Sequence, residues 1–64
     1  MATNEHDLWL FTYKNALGRE KHMAIYEPDK SKALNLYAAN KEPTDRLVSE
    51  QPMTKRQYRE WLKQ

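Results

Sequence analysis

Apolar and polar positions are most ordered at LWLFTYK, residues 8–14. Read as a strand, this run puts Trp9, Phe11 and Tyr13 on one face and Leu8, Leu10 and Thr12 on the other. Apolar groups on both faces predict a central strand, or one whose second face is covered. NALGRE follows and holds the only glycine of the chain, Gly18. A positive φ there closes a four- or five-residue hairpin loop. KHMAIYE (21–27) then returns as the partner strand, with Met23 and Ile25 on one face and His22, Ala24 and Tyr26 on the other.

Pro28 ends that strand, and Asp29 is placed to cap a helix over about 30–40. Ala33, Leu34, Tyr37 and Ala38 recur at helical spacing on one stripe, with Leu36 off its centre. Asn40 is expected to stop the helix in a left-handed conformation. Residues 41–52 are loop-like at both ends, through Pro43 and Pro52. Their middle, Arg46 to Ser49, reads as a short third strand or an extended connector.

The closing stretch MTKRQYREWLKQ (53–64) has the best-defined start. Thr54 and Gln57 form a Thr-x-x-Gln capping box, and Met53 before it faces Tyr58 as a hydrophobic staple. The pattern predicts a helix over 55 to about 63, with Tyr58, Trp61 and Leu62 as its docking stripe. The fold class expected is therefore α+β: a β-hairpin, a helix, a short third strand and a C-terminal helix, in one small domain over 1–64 with residues 1–6 disordered.

Length sharpens this reading. A core built from 64 residues leaves roughly 3–5 kcal/mol of net stability, so a monomer or a homodimer are both expected states. The chain has no cysteine, hence no disulfide framework and no thiolate metal site, which fits a reducing compartment. The first residues carry neither a cationic nor an apolar signal region, and no run of about 20 apolar residues is present. A cytoplasmic protein that does not enter membranes is the expectation.

Charge is mild in sum, 11 Lys+Arg against 9 Asp+Glu, but not in distribution. Residues 14–24 carry Lys14, Arg19 and Lys21 against Glu20, at the hairpin tip. Residues 53–64 carry Lys55, Arg56, Arg59 and Lys63 against Glu60. At about 100° per residue, Arg56, Arg59 and Lys63 make one ridge of the last helix with Lys55 beside it.

Catalytic chemistry finds little to work with. One glycine cannot supply a phosphate-cradling loop or a dinucleotide fingerprint. Ser31 and Ser49 lie in no nucleophile-elbow context, and only His6 and His22 can serve as base. Glu5, His6 and Asp7 look like a metal triplet, but adjacent residues of a strand cannot all face one ion. No catalytic residue, metal or cofactor is therefore expected, and the chain reads as a non-enzymatic binding protein.

Two kinds of partner compete. Tyr, Trp, Met and Arg anchor protein interfaces, which favours a regulator or inhibitor of a larger protein. The cations Lys14, Arg19, Lys21, Lys55, Arg56, Arg59 and Lys63 favour nucleic acid through a basic hairpin loop and a basic helix face, and are the candidate partner-binding residues in either case. The run LWLFTYKNALGREKHMAIYEPDKSKALNLYAA resembles the hairpin-then-helix stretch of the small phage-encoded inhibitors of bacterial RNA polymerase, of the T7 type. That resemblance spans about half the chain and implies a ββαβ fold and a partner in the transcription machinery. The third strand of that family carries alternating arginines, whereas here Arg46 stands alone in RLVSE and a second helix follows. The same hairpin and helix also look like the small three-stranded arm-binding domains of phage integrases, which implies contacts to DNA.

Overall fold

The computed structural model describes residues 6–64. Its elements run β1 (Leu8–Lys14), β2 (Glu20–Ile25), α1 (Lys30–Asn40), β3 (Arg46–Met53) and α2 (Lys55–Leu62). This is the expected α+β class. The strands form one antiparallel sheet in the order β2-β1-β3, so β1 is central. Because β2 and β3 both run antiparallel to β1, they are parallel to each other, and α1 crosses over β1 to join them.

The hairpin loop owes its shape to two residues. Asn15 accepts the N–H groups of Leu17 and Arg19 on its side-chain oxygen, both at 3.0 Å. Gly18 takes the positive φ, 76°, that the turn requires. The register then pairs Trp9 with Ile25, Phe11 with Met23, Leu10 with Ala24 and Thr12 with His22. Each strand face read from the sequence is thus kept.

Both faces of β1 are covered, each by its own helix. On the side of Phe11, which is fully buried, Ile25, Ala33 and Tyr37 complete a cluster joined by Trp9, Tyr13, Met23 and Leu34. Phe11 and Tyr37 stack with centroids 4.9 Å apart. On the opposite side Leu8, Leu10 and Met53 are buried, with Ala24 of β2 and Tyr58 and Trp61 of α2 packed against them. A small sheet buries little on one face alone, so double coverage is what lets a domain of this length hold together.

Asp29 caps α1 as expected, its carboxylate accepting the N–H of Lys32 at 3.2 Å. The turn before it is pinned by the Pro28 carbonyl, which accepts from the Trp9 indole at 3.0 Å and from His6 Nε2 at 2.7 Å. Lys30 reaches across the sheet to Glu50 at 2.8 Å, with its ammonium 5.6 Å from the centre of the Trp9 ring. Thr54 and Gln57 make the reciprocal capping box of α2, at 2.9 and 3.0 Å. Asp7 adds a cap from the far end of the chain, accepting the Lys55 N–H at 2.8 Å.

Several expectations are corrected. β3 is an eight-residue strand that runs through Pro52, not a short segment over 46–49. Proline survives there because β3 is an edge strand, whose outward N–H needs no ladder partner. Between Thr12, which pairs with Ser49, and Tyr13, which pairs with Leu47, β3 holds one extra residue, Val48. Asn40 does not stop α1 in a left-handed conformation, since no non-glycine residue among those described has positive φ. It remains helical, its side-chain amide donating to Leu36 O at 2.7 Å, and Lys41 leaves in an extended conformation. Ala38 is exposed, so the buried stripe of α1 is narrower than its apolar spacing implied. Residues 1–5 of the segment expected to be disordered lie outside the described residues, while His6 is held by Pro28 and meets the Trp9 ring edge-on at 5.2 Å.

Candidate interaction site

α2 buries no residue completely. Its hold on the sheet comes from two half-buried aromatics, Tyr58 and Trp61, stacked on each other with centroids 5.8 Å apart and planes at 16°. Tyr58 meets Tyr26 edge-on at 6.2 Å, and Trp61 meets His22 edge-on at 4.7 Å. His22 is further fixed by Thr12, 3.1 Å from its Nδ1, and stands 3.7 Å from Glu20. These contacts form an aromatic row, Tyr26–Tyr58–Trp61–His22, along the seam between α2 and β2.

That row is only partly covered. Tyr26 is 59% exposed and Leu62 58%. The expectation that Leu62 docks with Tyr58 and Trp61 is therefore corrected. At about 100° per residue, Leu62 lies on the border between the docked pair and the cationic flank.

Beyond Leu62 around the helix come Lys55, Arg59, Lys63 and Arg56, all exposed. Lys63 lies 3.9 Å from Glu60, an exposed pair of little energetic weight. Among the described residues, Lys55, Arg56 and Arg59 form no ion pair. The ridge expected from the sequence is thus present, and it continues an exposed apolar edge rather than standing apart from one.

The hairpin cations are arranged differently. Lys14 stands opposite Arg46 across β1 and β3, on the face that α2 occupies further along. Lys21 is opposite Tyr13 and therefore points to the α1 face, while Arg19 lies in the loop. The three hairpin cations do not make one patch. Arg46 was missed because its place depends on the β3 register, which no local pattern specifies. α2 starts beside Asp7, next to Leu8, about 20 Å at strand spacing from Lys14 at the other end of β1. It runs toward the hairpin end, where Trp61 meets His22, the cross-strand partner of Thr12, two positions before Lys14.

Lys14 and Arg46 also line an open cleft of about 540 Å³ at the hairpin end, together with residues 15, 16, 18 and 43–45. One wall is the Asn15-locked loop. The other is a turn in which the Asp45 carboxylate accepts the Glu42 N–H at 2.9 Å and its carbonyl receives Lys41 Nζ at 3.3 Å. Asp45 is 7% exposed. Behind this turn lies the Tyr37 hydroxyl, buried and without a hydrogen-bond partner. Burial, then the nearby Asp45 carboxylate and Tyr13, raise its pKa above the usual tyrosine value.

Neither surface brings together a nucleophile, a base and a group to orient it. Among the described residues no cluster of His, Asp and Glu can hold a metal ion, and no helix is long and apolar enough to cross a membrane. His6 and Asp7 each make a contact within the fold, to Pro28 O and to the Lys55 N–H. No family model matches the chain, and comparisons with curated proteins and with solved structures also find no match.

Proposed function

We propose that this chain is a non-enzymatic binding protein that regulates a larger protein by docking through the exposed side of α2. One observation carries the reading: the half-covered Tyr26–Tyr58–Trp61 row opens onto exposed Leu62, and the cations Arg56 and Arg59, which form no ion pair among the described residues, follow directly. An aromatic and aliphatic centre with an arginine rim is the anatomy of a protein interface. The partner that fits offers a shallow apolar pocket bordered by carboxylates. The resemblance of residues 8–39 to phage inhibitors of RNA polymerase makes cytoplasmic transcription machinery the first partner to try.

A capture experiment from bacterial lysate, with and without nuclease, tests this. Capture of a protein should survive nuclease and moderate salt, and should be lost in Leu62→Ala and in the Arg56→Gln, Arg59→Gln pair. Capture that disappears with nuclease, or that ignores all three substitutions, defeats the proposal.

A second reading, nucleic-acid binding, is favoured by the pairing of Arg46 with Lys14, which adds a cation to the hairpin end. Under that reading affinity for an oligonucleotide falls steeply with salt and depends on Lys14 and Arg46, not on Leu62.

A further inference from the structure

The cleft at the hairpin end has a feature that the fold does not require. Lys14 and Arg46 are direct cross-strand partners, and like charges placed opposite each other in an antiparallel pair are destabilising. The obvious relief is missing. Glu20 is the partner of Lys14 on the other side, yet no ion pair joins them, and the Glu20 carboxylate lies beside His22 instead. Asp45, the one acid that lines the cleft, is nearly buried and committed to the Glu42 N–H. Two cations thus face a shared space with no counter-charge directed into it.

That space is shaped in advance. The hairpin wall is fixed by the side chain of Asn15 and the positive φ of Gly18, and a Cβ at Gly18 would meet nothing within 4 Å, so the loop crest is open. The opposing wall is fixed by the Asp45 turn. A volume of about 540 Å³ suits a small ligand, within the ~300–1,000 Å³ of such sites. An Arg fork beside a Lys point charge suits the oxygens of a phosphoryl group.

We propose that this cleft binds one phosphoryl group, held between Lys14 and Arg46 and neutralising their mutual repulsion. The ligand class is a phosphate ester or diphosphate, whether a small molecule or the end of a nucleic-acid strand. No residue of α2 lines the site, which does not depend on the protein partner proposed for α2. It narrows the nucleic-acid reading to a discrete pocket.

Amide chemical shifts of the intact chain, followed by NMR during titration at fixed ionic strength, test it with inorganic phosphate, pyrophosphate, chloride and a short single-stranded oligonucleotide. Saturable shifts at residues 14–18 and 43–46 with phosphate or pyrophosphate, absent with chloride, are expected. Lys14→Gln and Arg46→Gln should each weaken pyrophosphate about tenfold, while Lys32→Gln, on the exposed side of α1, changes nothing. Both cleft variants should also melt no lower than the parent, because each removes the repulsion, so lost binding cannot be blamed on unfolding. Small phosphates binding without the oligonucleotide support the pocket and remove the nucleic-acid reading. Oligonucleotide binding alone, or shifts that chloride reproduces, overturn the pocket.

Discussion

His22 stands edge-on to Trp61, with ring centroids 4.7 Å apart and planes at 79°, which ties the last turn of α2 to the edge strand β2. Together with the Tyr26–Tyr58 contact, it is how a helix with no fully buried residue stays on the sheet. Trp61→Ala should cost about 2 kcal/mol, roughly half the loss at a fully buried aromatic. Leu62→Ala should change stability by less than about 0.5 kcal/mol. Urea unfolding measures both. If Leu62→Ala were as damaging as Trp61→Ala, Leu62 would be a core residue and the exposed edge of α2 would not exist.

The capping of α2 comes from two distant places, Thr54 at its start and Asp7 before β1. Thr54→Ala should cost about 1 kcal/mol, and Asp7→Asn should weaken the same turn. Amide hydrogen exchange over residues 55–58 should accelerate in both variants before global stability is lost. Unchanged protection there would show that the caps do not hold the helix.

Tyr37→Phe is expected to stabilise the protein by about 1 kcal/mol, since it removes a buried hydroxyl that no group satisfies. Thermal melting reads the gain. A loss of stability would reveal a partner for the hydroxyl.

Alkaline pH tests the same side chain. Its pKa is raised in the folded state by burial, by Asp45 and by Tyr13. The folded state therefore keeps the proton while the unfolded chain releases it. The contribution is fully present below the ordinary tyrosine value and is lost as pH rises from there through the folded value. Stability should fall less steeply above that point in Tyr37→Phe than in the parent. Equal slopes would contradict the assignment.

Gly18→Ala should cost about 1 kcal/mol through its positive φ alone, because an added Cβ meets no neighbour. Gly18→Asn should recover part of that loss. Denaturation midpoints decide it, and an Ala variant as stable as the parent would mean that the loop crest is free to change conformation.

Much of the fold was legible because it is local. The two-faced β1 pattern, the Gly18 turn and the Thr54 box each depend on residues within a few positions of one another. What was misread depends on distance. RLVSEQPM has no strand alternation of its own, and its extended state comes from pairing with β1 along its whole length. Asn40 had the composition of a left-handed stop, but its amide found the Leu36 carbonyl inside the last turn. Leu62 had helical spacing for docking, yet a narrow contact through two aromatics leaves it outside.

The candidate surfaces divide in the same way. The ridge Lys55, Arg56, Arg59 and Lys63 follows from helical geometry, so it was visible in twelve residues of sequence. The pairing of Lys14 with Arg46 was not, because a one-residue slip of β3 would send Arg46 to the other face. The sequence by itself determined the hairpin, both helix starts and the class of the fold, through turn and cap chemistry that acts within a few residues. Only the tertiary structure decided which helix covers which face of β1, how far β3 extends and which cations meet. Those outcomes are set by burial and strand register between segments that lie far apart along the chain.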